Sequence, residues 1–96
     1  MTLRAHLIPL GGGAFSGEVE GHPAAGTVIR LQRLTATEMT AGLWANGKHL
    51  VGNGLLRLSE GRWTGLCTEF AGKWAIEAKQ GSAELLFREE APEVAA

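Results

Sequence analysis

The chain has 96 residues, of which 45% are hydrophobic and 20% charged, and its formal net charge is −1. That length supports one domain with one modest core, and the balanced charge supplies no basic patch for nucleic acid or an anionic membrane surface. Aspartate and tyrosine are absent, which excludes calcium loops, aspartic dyads and Ser-His-Asp triads, although glutamate could substitute in some sites.

Taken in order, Thr2–Leu10 reads as a first strand, and Gly11-Gly12-Gly13 as a flexible turn. Ala14–Glu20 alternates, with Phe15, Gly17 and Val19 pointing one way and Ser16, Glu18 and Glu20 the other, the pattern of a half-buried strand. Gly21–Gly26 is the longest irregular stretch, with Pro23 setting a turn. Thr27–Leu34 alternates again, and Thr35–Thr37 turns into a strand carrying Met39–Trp44. Thr35–Leu43 is the best helix candidate, because Thr35 and Glu38 match a capping box. Arg4 and His6 interrupt the N-terminal apolar residues, so no signal peptide is expected, and no run approaches the length of a membrane span. Cytoplasmic location is the default expectation. After Arg88, residues 89–96 read as a disordered acidic tail behind a single β domain at 1–88.

The central stretch is Lys48–Leu58, bounded by Asn46-Gly47 and Glu60-Gly61. Asn-Gly between strand-like runs signals a type I′ hairpin. A two-residue turn there pairs Trp44 with His49, Leu43 with Leu50 and Ala41 with Gly52. The turn at Glu60-Gly61 pairs Leu58 with Trp63, Leu56 with Gly65 and Gly54 with Cys67. Turns at Ala71-Gly72 and Gln80-Gly81 pair Glu69 with Trp74, Cys67 with Ile76, Ile76 with Leu85 and Trp74 with Phe87. Directly paired residues share a face, so these turns gather one nearly continuous apolar set, and a one-residue slip would reverse every strand. The register also puts Glu69 on the core face near a rim and Glu77 opposite Glu84.

The expected fold is therefore all-β: an antiparallel meander of about eight short strands forming a closed or partly open small barrel, with a two-sheet β-sandwich as the alternative. Leu7–Gly17 and Leu55–Gly65 share four of eleven positions at an offset of 48 residues, which suggests two repeated halves, 1–48 and 49–96. Glycines at core-face positions 52, 54 and 65 mark either bends or room for a ligand.

The opposite face carries Trp44, His49, Val51, Leu55 and Leu66, more apolar than a fully solvated face should be. These five are the candidate interface for self-association or for docking on another protein. The alternative site is an apolar small-molecule pocket in the barrel interior, lined by Trp63, Trp74, Leu56, Gly54 and Glu69. A carboxylate beside Trp74 at a rim is the arrangement that functional sites favour. His6, His22 and His49 have no metal-ligand spacing, and Gly52-Asn53-Gly54 lacks the lysine and following helix of a phosphate loop, so no metal or cofactor is expected. Cys67, the one cysteine, reads as a small buried hydrophobe. The functional expectation is a non-catalytic binding or interaction module, with an apolar ligand carrier as the alternative and no nucleic-acid or membrane partner.

Overall fold

The computed structural model describes residues 2–24, 26–46, 48–69 and 72–90. They form nine strands: β1 (Thr2–His6), β2 (Ile8–Gly11), β3 (Ala14–Glu20), β4 (Val28–Thr35), β5 (Glu38–Ala45), β6 (His49–Ser59), β7 (Arg62–Glu69), β8 (Gly72–Lys79) and β9 (Glu84–Glu89). Strands β3 to β9 run as an antiparallel meander. The sheet closes because β1 pairs with β9 through Leu3↔Phe87 and Ala5↔Leu85, and with β3 through Arg4↔Glu20 and Ala5↔Val19. The result is an eight-stranded barrel, with β2 as an additional strand on β3. No helix long and apolar enough to cross a membrane occurs among the described residues.

Closure follows from the alternation. Leu3, Ala5, Val19, Ile29, Leu31, Met39, Ala41, Leu43, Leu56, Trp63, Cys67, Trp74, Ile76, Leu85 and Phe87 all point inward and form one core with Leu7, and closing the sheet through β1 pairs the edges of β3 and β9 that an open sheet would leave free. Tight coiling needs small residues where β6 and β7 pinch together. A Cβ on Gly54 would collide with the carbonyl oxygen of Leu66, and one on Gly65 with that of Leu55. These glycines are therefore bends where the backbones meet, and their missing side chains open no ligand space.

The hairpin at Glu60-Gly61 is as expected: Leu58↔Trp63, Leu56↔Gly65 and Gly54↔Cys67 are all paired. Glu60 and Gly61 have φ of 51° and 73°, the positive values of a type I′ turn. Glutamate is poorly suited to that conformation. Glu60→Gly is expected to raise stability by about 0.5–1 kcal/mol, measured by urea denaturation at unchanged m.

Other registers depart from the expectation, mostly without changing faces. The hairpin after β5 pairs Ala45 with His49 and then carries a bulge on β6, so that Leu43 pairs with Gly52 and Ala41 with Gly54. A bulge adds one unpaired residue to one strand. Here it is Val51, which turns inward and packs on the core, while Leu50 turns outward and is 52% exposed. Between β7 and β8 the ladder is shifted by two, giving Cys67↔Trp74 and Gly65↔Ile76. Between β8 and β9 it is again shifted by two, giving Ile76↔Phe87 and Trp74↔Glu89. An even shift preserves the face of every side chain. It also removes the Glu77–Glu84 opposition: Glu77 lies opposite Leu86 and accepts ion pairs from Arg88 at 2.9 Å and Arg62 at 3.5 Å.

Two further readings are corrected, and the helical alternative over Thr35–Leu43 gives way to the expected turn and strand. The first expected strand is two, broken at Leu7. Thr35–Leu43 is not helical: Thr35 ends β4 and Glu38 begins β5. The capping-box pair still interacts, with Thr35 Oγ1 donating to Glu38 Oε1 at 3.4 Å and accepting from the Thr37 N–H at 3.2 Å, but it closes a hairpin turn. Ordered strand continues to Glu89. Residues 91–96 of the expected tail, Phe70, and the turn residues Gly47 and Ala71 lie outside the described residues.

Candidate functional site

The two ends of the barrel are built differently. At one end the seam between β2 and β9 stays open. The Leu7 N–H donates to Ala83 O at 2.6 Å, continuing the β1–β9 ladder. The next residue facing that side is Pro9, two positions on, and proline has no N–H to give. The ladder stops there, β2 leaves β9, and a cleft of about 340 Å³ opens into the barrel mouth. Leu31, Met39, Trp63 and Leu85 form its floor, Leu7, Pro9 and Phe15 one wall, and residues from Ala78 to Ala83 the other. Among the described residues, the charged ones in this lining are Arg33 and Lys79; Lys79 pairs with Arg62 and alternates outward from Ala78, so its side chain lies on the outer side of the rim. The Arg33 guanidinium lies over the Trp63 indole with Cζ 5.4 Å from the ring centroid, within the reach of about 6 Å at which a cation is attracted to a ring face.

Below the mouth the barrel is filled. Leu43, Leu56 and Cys67 are fully buried, and Ile76 nearly so. Burial, followed by the nearby Glu69 carboxylate, pushes the Cys67 thiol up to about 12. The folded thiol therefore keeps its proton where the unfolded one begins to lose it. Stability from this group is fully present below about pH 9 and declines as pH rises from there toward 12. Cys67 is expected to resist thiol reagents at pH 8 in the native protein and to react stoichiometrically in urea, followed by absorbance of the released chromophore.

The other end is closed by a buried polar clasp. Glu69, at the end of β7, accepts from Trp74 Nε1–H at 2.7 Å and sits 3.2 Å and 3.3 Å from His22 Nε2. The side chains of His22 and Glu69 are only 6% and 5% exposed. On the other ring nitrogen, Nδ1 accepts the Ala24 N–H at 3.0 Å. A backbone N–H can only donate, so Nδ1 carries a lone pair and the ring proton is on Nε2, directed at Glu69. Thr27 Oγ1 lies 3.1 Å from Nδ1 and donates to Ala24 O at 2.7 Å. The sequence Thr27–His22–Glu69 has the residue types of a hydrolytic triad. Its hydroxyl, however, is 1% exposed and committed to a backbone carbonyl, and the imidazole lone pair is already filled. The cluster's chemistry is to hold the Gly21–Gly26 loop across the barrel base.

The expected ligand set is thus divided. Trp63 floors the mouth, whereas Trp74 and Glu69 belong to the base clasp, about 20 Å away along β7. Leu56 is fully buried between them, and Gly54 is a bend. The sequence places Glu69 beside Trp74, but for His22 it shows only that no metal-ligand spacing is present. The signal that could have linked them is that a carboxylate and an indole N–H on a core face both require partners, and His22 is the polar side chain of the adjoining loop.

Of the expected interface residues, Trp44, Leu55 and Leu66 lie on the outer face, whereas Val51 packs on the core and His49 pairs with Ala45 instead of Trp44, one position out of step with that face. The Trp44 indole edge lies close to Gly42, where a Cβ would sit 3.1 Å from its Nε1, and Arg30 Cζ stacks 5.1 Å from its ring centroid. Leu50 pairs with Trp44, and His49 is exposed beside it. Leu55 and Leu66 face each other across β6 and β7, 36% and 47% exposed. Among the described residues no three His, Cys, Asp or Glu side chains are grouped to hold a metal ion.

These features define a small closed β-barrel with an open cationic mouth and a clasped base. No known family, no curated protein and no solved structure matches this chain.

Proposed function

We propose that the protein is a non-catalytic binding module that takes a small apolar ligand in the mouth of its barrel. The observation that carries this reading is the cleft of about 340 Å³ between β2 and the residue 79–83 loop, which falls in the size range of small-molecule sites. Its floor is apolar, and Trp63 and Phe15 offer the aromatic surface that apolar ligands bury well. A cytoplasmic setting accompanies this proposal.

The test is titration with 1-octanol followed by intrinsic tryptophan fluorescence. A saturable change is expected in the wild type, and none in Ala83→Phe, whose ring fills the cleft from the exposed loop. A linear, unsaturable response in the wild type would defeat the reading.

The outer face favours a second reading, in which the barrel self-associates or docks on another protein. Its support is the exposed apolar group of Leu50, Leu55 and Leu66 beside the Trp44–Arg30 stack, since contiguous exposed apolar surface marks interfaces. Light scattering coupled to size exclusion should then give a dimer or larger for wild type and a folded monomer for Trp44→Lys. A monomeric wild type would remove self-association.

A further inference from the structure

We propose that the mouth cleft selects organic monoanions: a compact apolar body bearing one carboxylate, which is met at the rim by Arg33, with Lys79 a more distant cation on the outer side. This rests on reading the mouth as a ligand site and adds the chemistry of the head group. Three observations carry it.

The first is charge. Among the described residues the cleft lining contains Arg33 at the mouth, Lys79 on the outer side of its rim, and no carboxylate. On the adjoining outer face Arg62 and Arg88 share the single carboxylate of Glu77. Among the described residues, neither Arg33 nor Lys79 has a carboxylate within ion-pair distance. The mouth is thus a small positive field over an apolar floor, and low-dielectric walls strengthen such a field for an incoming anion.

The second is preorganisation. The face of the Arg33 guanidinium is held by Trp63, and its backbone N–H is held by Gly13 O at 2.9 Å. Stacking uses the face of the guanidinium and leaves its edge donors available, the geometry that receives both oxygens of a carboxylate. A ligand body lying on Trp63 would therefore have its carboxylate beside a cation that is already positioned.

The third is size. A cavity of about 150 Å³ holds one benzene. A cleft of about 340 Å³ is therefore matched by a ligand of roughly a dozen non-hydrogen atoms, head group included. Octanoate has that size, and 1-octanol and octylamine share its chain with a neutral and a cationic head.

The experiment is isothermal titration of the full chain with octanoate, 1-octanol and octylamine at low salt, then at high salt. Octanoate is expected to bind roughly tenfold more tightly than 1-octanol, with octylamine weakest, as one charge-assisted contact at a partly exposed rim provides. High salt should erase most of the octanoate advantage and leave 1-octanol unchanged. Arg33→Gln should bring octanoate down to the affinity of 1-octanol, and Lys79→Gln should weaken octanoate alone by about threefold. Equal binding of octanoate and 1-octanol by the wild type would overturn the anion proposal and leave the mouth an apolar site. Binding of none of the three would overturn both readings. Since the wild-type comparison decides alone, a poorly folding Arg33→Gln would not shield the proposal.

Discussion

Glu69→Ala is expected to lower stability by about 3 kcal/mol and the Tm by roughly 12–24 °C. The carboxylate is the shared acceptor for Trp74 Nε1–H and His22 Nε2–H, in a cluster where the His22 and Glu69 side chains are almost fully enclosed. Removing it leaves two buried donors unpaired, and each costs about 1–3 kcal/mol. Two companion variants separate this account from a simple cavity effect. Glu69→Gln keeps an oxygen for Trp74 but turns an amide N–H toward His22. His22 cannot answer by moving its proton to Nδ1, because the Ala24 N–H occupies that position. Glu69→Gln should therefore remain destabilised by about 1 kcal/mol, whereas His22→Ala should chiefly release the Gly21–Gly26 loop. Thermal unfolding by circular dichroism measures all three. If Glu69→Ala unfolds at the wild-type temperature, the clasp contributes nothing to the fold.

Gly54→Ala is expected to cost about 4 kcal/mol or more, an unusually large effect for adding one methyl group. The new Cβ would run into the Leu66 carbonyl oxygen and lie 2.9 Å from the Cys67 Cα. Both are backbone atoms of the paired strand, so no side-chain rotation relieves the contact. The strands must separate, and the ladder Gly54↔Cys67 and Leu56↔Gly65 must loosen in a core packed to crystal-like density. Gly65→Ala meets the Leu55 carbonyl in the same way. Asn53→Ala, one position away with its side chain exposed, is the control and should stay within about 0.5 kcal/mol of wild type. Urea midpoints compared at constant m would register the difference. Near-wild-type stability of Gly54→Ala would mean that β6 and β7 do not coil as described.

Faces were easier to read from the sequence than registers. Alternation placed Phe15, Val19, Ile29, Leu31, Met39, Leu43, Trp63, Ile76 and Phe87 on one side, and all of them point into or pack against the core. The ladders around β8 shifted by two residues because glycine positions mark turns without fixing loop length, and an even shift left that inward set intact. Leu50 and Val51 exchanged roles because a bulge has no alternation signature: one inserted residue inverts the pattern locally. Barrel closure through β1 depends on contacts between the two ends of the chain, which no local period encodes.

The candidate site was legible only in part, for a related reason. Glu69 beside Trp74 followed from the core-face register at a rim. The other half of the clasp, His22, comes from an irregular loop 47 positions away from Glu69, where periodicity has nothing to say. The mouth was less visible still. It exists because Pro9 stops one ladder where Leu7 has just completed it, and because Phe15, Leu31 and Trp63 converge from strands distant in sequence. Only the closed barrel brings those residues together.

The most direct test of the mouth as the functional site is a map of ligand-induced amide shifts by two-dimensional NMR, with octanoate and 1-octanol titrated into the labelled chain. The account predicts saturable shifts centred on Leu7, Phe15, Leu31, Met39, Trp63 and Leu85, with Glu69 and Trp74 at the base unmoved. Shifts centred on Trp44, Leu50, Leu55 and Leu66, or no saturable shift anywhere, would contradict it.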